Sequence, residues 1–226
     1  MTSSAPAPGD SPAPEAGRTR LSPEQRRAQL LDLGVELLAT RSLEELSIDV
    51  LAETAGVSRG LLYHYFGGKQ GFYAAVVQHA ADDLYARTAP PETGQPVERL
   101  RASVRAYVDY VADSHTGYRS LVRAAAGGNE ELRAIYDATF AALAERFFTA
   151  DPHGIAFPDT PPVRLLVRAW QAMVEDLVLT WSQEPAGISR DALLDLVSAS
   201  LPALLDLLPH DLGGGAPGAS SGAGPG

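Results

Sequence analysis

The chain has 226 residues, enough for one large domain or two modest ones, and 45% hydrophobic with 20% charged residues is ordinary for a globular protein. It has no cysteine, which excludes disulfide scaffolds, thiolate zinc or iron–sulfur sites and cysteine nucleophiles. The net charge of −10 argues against nucleic-acid binding until its distribution is considered: residues 18–80 balance seven bases with seven acids, while residues 81–226 carry eleven against nineteen. A basic face can therefore form only in the N-terminal third.

Residues 1–20 and 209–226 are rich in Pro, Gly, Ala and Ser and read as disordered tails, with Arg18 and Arg20 available as a short basic arm. The first twenty residues contain no apolar core of a secretory signal. Outside the Gly-rich tail, the longest uncharged stretch is twelve residues, Gln70 to Ala81, too short to span a membrane. A cytoplasmic protein without membrane contact is expected.

Between the tails the pattern is helical, and an all-α fold is predicted. Ser22, Pro23 and Gln25 form a capping box that opens a helix running to about Arg41 and burying Leu30, Leu33, Leu37 and Leu38. Ser47 and Ser58 cap two short helices, and Gly56 ends the first of them. A longer helix begins near Lys69, with Phe72, Val76, Ala80 and Leu84 along one face. The stretch Pro90-Pro91-Glu92-Thr93-Gly94 breaks the chain. Further helices are predicted at 96–113, 117–126, 130–148 and 161–184, with a Pro-rich loop over 151–162. A last helix follows Ser189, in which Pro202 should cause a kink or an early end.

The most informative segment is IDVLAETAGVSRGLLYHYF, Ile48 to Phe66. Ala52 lets two helices cross closely, Gly56 turns the chain, and Leu51 and Leu62 share a core, which is the pattern of a helix-turn-helix. Arg59, Gly60, Tyr63 and His64 are left facing outward. Arg59 can donate twice to a guanine edge, and Gly60 clears a path for the backbone. Tyr63, His64 and Tyr65 can reach phosphates or thymine methyls, although Tyr65 and Phe66 also suit the core. Lys69, Ser47 and Ser58 stand at helix N-termini, where phosphate is favoured.

Residues 25–72 resemble the DNA-binding region of the TetR family, the tetracycline-repressor-like regulators. The resemblance is carried by Leu31-Asp32, Leu37-Leu38, Ser47-Ile48, Leu51-Ala52, the run Ala55 to Gly60, Leu62 to Phe66, Lys69 and Phe72. It implies a three-helix DNA-binding domain over 21–68 and a larger ligand-binding and dimerisation domain over 69–208. It also implies DNA contacts from Ser47, Arg59, Gly60, Tyr63, His64, Tyr65 and Lys69. Many members carry Gly about five residues before the Ser47 position; here Arg41-Ser42-Leu43-Glu44-Glu45 predicts a different first turn.

In the C-terminal region Tyr107, Tyr110, Tyr118, Phe140, Phe147, Trp170 and Met173 are candidates for a pocket or for plain core. Glu175 is read as a polar pocket residue suited to a cationic or hydroxylated ligand, with Arg105, Asp109 and Asp176 as further polar candidates. Two stripes are read as a dimer interface: Leu166, Trp170, Met173, Leu177 and Trp181, and Leu194, Val197, Leu201 and Leu205. His79 with Asp82 and Asp83 has metal-like spacing but no second imidazole nearby. No nucleophile elbow, P-loop or dinucleotide fingerprint occurs, so neither enzyme activity nor a cofactor is expected. The sequence predicts a homodimeric regulator, a repressor in the first instance, that binds a palindromic operator in double-stranded DNA and answers to a small-molecule effector. Activation instead of repression, a purely packing role for the helix-turn-helix and a metal-dependent helical enzyme are the rival readings.

Overall fold

The computed structural model describes residues 21–149, 155 and 157–209. The tail segments 1–20 and 210–226, including Arg18 and Arg20, lie outside the described residues, as does much of the 151–162 loop. Among the described residues there are nine helices and no strand: α1 (Pro23–Thr40), α2 (Ile48–Ala55), α3 (Arg59–Phe66), α4 (Lys69–Arg87), α5 (Pro96–Asp113), α6 (His115–Ala126), α7 (Glu130–Glu145), α8 (Pro161–Gln183) and α9 (Arg190–Asp206).

The helix starts follow from their caps. Ser22 accepts from the Gln25 amide while the Gln25 side chain accepts from the Ser22 amide, and Pro23 occupies the first position, where no N–H is needed. The Ser47, Ser58, Asn129 and Ser189 side chains each accept a main-chain N–H from the first turn of α2, α3, α7 and α9. Gly56 ends α2 in the left-handed region at φ 64°, where a side chain would be strained.

Three boundaries or faces depart from the sequence reading. On α1, Leu31 and Gly34 are buried with Leu30 and Leu38, whereas Leu33 and Leu37 are only half-buried. Helix α7 stops at Glu145 because the returning chain takes over the next carbonyls: the Ile155 amide donates to Arg146 O at 2.7 Å and the Phe157 amide to Phe147 O at 2.7 Å. Helix α9 passes through Pro202 to Asp206. The proline offers no N–H to the Ser198 carbonyl, but Leu201, Leu204 and Leu205 pack on the core and carry the helix onward. The Arg41–Glu45 turn closes on itself, with Ser42 N donating to Glu45 Oε2 at 2.9 Å and Glu45 N donating to Ser42 Oγ at 3.3 Å.

Two apolar cores result. One gathers Leu30, Leu31, Leu38, Leu46, Leu51, Leu62, Phe66, Phe72 and Val76 from the N-terminal helices, together with Leu132 of α7. The other is built from α5, α8 and α9 with Leu84, Tyr118 and Phe147. Where the two meet, α6 abuts the end of α1. A Cβ on Gly117 would overlap the Leu38 carbonyl, and the Leu43 amide donates to Ser120 Oγ at 2.9 Å. His79 Nε2 lies 2.7 Å from Asp32 Oδ1, tying α4 to α1. Asp82 accepts from Gln78 and Asp83 from Arg87, so this trio is spent on helix-surface pairs and does not converge on one point.

Candidate nucleic-acid interface and internal cavity

Helices α2 and α3 cross through Ala52, Leu51 and Leu62, all buried, which turns the opposite side of α3 to solvent. Arg59, Gly60, Tyr63 and His64 are exposed together there, with Tyr63 at 54%. A Cβ at Gly60 would meet nothing closer than Ser58 Oγ at 3.9 Å, so the space above this turn is open. Ser47 and Ser58 sit at the two helix N-termini with their oxygens accepting main-chain N–H groups, which leaves each hydroxyl proton available to an outside acceptor. Tyr65 is half-buried, its ring edge-on to His64 at 5.7 Å. Lys69 opens α4, and its ammonium lies 5.3 Å from the Tyr73 ring centroid.

Sequence reading missed one partner. Arg59 Nε donates to Asp49 Oδ1 at 2.6 Å across the turn, and both side chains are well exposed. Asp49 gave no signal beyond being an acid in the first turn of α2, where the helix dipole already explains it. In water such a pair is weak, so a guanine edge or a phosphate can displace the carboxylate.

The C-terminal candidates divide. A cavity of about 60 Å³, partly open to solvent, is lined by the candidates Tyr107, Phe140, Phe147 and Trp170, together with Val104 and Arg146. Tyr110 lines a neighbouring space of about 30 Å³, with Phe140 shared between the two. The wall of this second space includes Val77, Ala80, Ala81 and Leu84 of α4. Burial pushes the Tyr110 phenol up to about 12, so it stays a neutral donor, here to the Ala80 carbonyl at 3.0 Å.

Two pocket expectations need correction. Met173 is 42% exposed on the outer side of α8 and lines neither space. Glu175 faces inward, but its oxygens are occupied: Tyr118 donates to Oε1 at 2.8 Å, Tyr136 donates to Oε2, and Tyr107 and Tyr118 share a hydroxyl contact at 3.0 Å. Burial raises the Glu175 carboxyl above its ordinary value, and the two phenols oppose that only in part. It is a buttoned-down core group with no oxygen left over for a cation. Of the further polar candidates, Asp109 pairs with Arg190 at 3.0 Å, and Arg105 and Asp176 are exposed.

The interface stripes also need correction. Leu194, Val197 and Leu201 are fully buried inside the protomer, because α5 and α8 pack over that side of α9. Leu177, Trp181 and Leu205 are half-buried, and Trp181 Nε1 donates to the Ile188 carbonyl at 2.8 Å. The apolar groups left open are different ones: Leu196 (53%) on α9, Leu207 (80%) just past its end, and Leu165 and Met173 on α8.

An exposed polar face on the second helix of a helix-turn-helix, backed by a larger helical body, is the architecture of a DNA-binding regulator. The comparisons give the family. Residues 30–76 match the model for "Bacterial regulatory proteins, tetR family", and residues 96–203 match that for "Tetracyclin repressor-like, C-terminal domain". The chain belongs to the TetR family of transcriptional regulators. A TetR-family regulator from Streptomyces coelicolor is similar in structure, with 31% identity, 83% of each chain covered and a TM-score of 0.71. Among curated proteins, the transcriptional activator FasR of Mycolicibacterium smegmatis is 37% identical over 102 residues, 44% of this chain and 47% of that protein. The transcriptional regulator BetI of Burkholderia thailandensis is 37% identical over 89 residues, 38% of this chain and 46% of that protein. The match thus spans about half the length of these curated relatives. Among the described residues, no helix is long and apolar enough to cross a membrane.

Proposed function

We propose that the chain is a homodimeric repressor that grips a palindromic operator with α3 of each protomer and lets go when a small molecule enters the C-terminal cavity. The observation that carries this reading is the open face of α3, where Arg59, Gly60, Tyr63 and His64 stand clear of the core on a short, capped helix. Ser47, Ser58, Tyr65 and Lys69 frame it as phosphate contacts. Twofold symmetry requires the two reading helices to lie about 34–36 Å apart, one turn of duplex.

Dimerisation is supported by the exposed leucines of α8 and α9, which would meet their copies in a four-helix interface. Effector response is supported by α4, a single helix with Lys69 at the DNA end and Leu84 in the wall of the small space next to the cavity. A ligand that fits one position of α4 better than another would change the spacing of the heads, by as much as its affinities for the two states differ.

Titration of a labelled fragment from the gene's own upstream region tests the reading. Tight binding that a scrambled fragment lacks, with an affinity that falls steeply with salt, is the expected result. Equal binding to both fragments would refute it. Activation is a second reading, favoured by the similarity to the Mycolicibacterium activator; transcription from that fragment with and without the purified chain separates the two.

A further inference from the structure

Arg146 is the only buried cation among the described residues, 8% exposed, and no carboxylate there pairs with it. The adjacent acid, Glu145, is committed to Arg164 at 2.6 Å. Part of the Arg146 guanidinium is accounted for: Nη1 donates to Thr88 Oγ1 at 3.2 Å, and the group lies 3.5 Å over the Tyr85 ring. Its Nε is buried with no acceptor among the described residues. A desolvated charge without a counter-ion is costly, and the Thr88 hydroxyl and the Tyr85 ring offset that cost only in part.

The same side chain lines the larger cavity, with the hydroxyl residues Thr88 and Ser103 beside it; Ser103 Oγ donates to the Thr88 carbonyl at 2.6 Å. Almost all the remaining wall is apolar, including Leu100, Val104, Leu143, Phe147, Trp170 and Val174. One unsatisfied cationic fork in an otherwise greasy chamber selects a particular chemistry.

We propose that the cavity binds an amphipathic carboxylate, its hydrocarbon part against the apolar wall and its head group on the free edge of the Arg146 guanidinium. The proposal rests on the effector-responsive reading above and names the class of molecule that reading leaves open. It also accounts for the placement of Glu175, which keeps its negative charge off the cavity wall by accepting from Tyr118 and Tyr136.

Calorimetric titration of the full chain with decanoate, decanol and decylamine at neutral pH tests it. Decanoate should bind about tenfold to a hundredfold more tightly than decanol, the worth of a charge-assisted hydrogen bond, and decylamine most weakly. Arg146→Met should bring decanoate and decanol to the same affinity, and Arg146→Lys should retain part of the preference. Decanol equal to decanoate, decylamine ahead of either, or an undiminished preference in Arg146→Met would overturn the proposal. Should Arg146→Met fail to fold by thermal unfolding, the ranking on the unmodified chain decides alone. Decanoate added to the chain on its DNA separates the two levels. Decanoate binding with unchanged DNA affinity upholds the anion site and removes its effector role. No decanoate binding by a chain that still holds DNA overturns the site and leaves the DNA reading standing.

Discussion

Tyr63 and Tyr118 carry the same phenol, one standing more than half exposed on α3 and the other buried against Glu175. Gly60 and Gly117 make the same contrast without a side chain: the first opens onto empty space, the second is pressed against the Leu38 carbonyl. In the N-terminal helices the polar groups lie on the outside and the core behind them is plain hydrocarbon. In the C-terminal helices several polar groups face one another inside, and the outside of α8 and α9 mixes the exposed apolar Leu165, Met173 and Leu196 with exposed Arg168, Asp176 and Asp195. A surface that reads an external polymer can keep its donors hydrated until contact. A chamber that reads a small molecule must hold its donors dry and already aimed.

The two glycines give the sharpest way to break this comparison. Gly117→Ala should cost about 2 kcal/mol or more, because a backbone carbonyl cannot step aside, and thermal unfolding measures it. Gly60→Ala, in open space, should leave the melting temperature level or slightly higher while weakening DNA binding. If both variants melt alike, the difference in packing is wrong.

Arg59→Ala comes next. It should cost about 1–3 kcal/mol of operator affinity and relax selectivity at one base pair, read from a panel of single-substitution operators. Stability should barely change, since the only protein partner lost is the exposed Asp49. Lys69→Ala should weaken every DNA alike and lower the slope of log affinity against log salt by about 0.9.

The last effect belongs to the interior. Because the folded chain raises the Glu175 carboxyl above its ordinary 4.5, the contribution of that group to stability is complete below 4.5. It is lost as pH climbs through the raised value. Glu175→Gln should remove this dependence, so the variant gains on the parent between acid and neutral pH in paired melting curves. A parent and variant that keep a constant difference would show that Glu175 does not titrate as described.

How much was legible in the sequence follows the same divide. Ser22, Pro23, Gln25 and Gly56 announce helix ends through bonds between near neighbours, and the structure keeps each of them. The α3 face is likewise local, since eight residues on one helix define it. The interior depends on distant partners. Arg146 reads as one more charge near a helix end, and only the returning chain at Ile155 and the lid of Tyr85 and Thr88 make it a buried cation. The stripe of Leu194, Val197 and Leu201 has the right period for an interface and for a core alike; the position of α5 decides between them. Asp49 is paired with a residue ten positions away across a turn, which no helical period brings together.

Gly117 has one further consequence. At Gly117 main chain sits directly on main chain, so that point of the joint between α6 and α1 has no α6 side chain to compress, and Leu43 and Ser120 pin it from the side. Such a bearing permits rocking but resists translation. Under the proposed effector response, a swing about this joint would turn a small change of angle at the hub into a larger displacement at the rim.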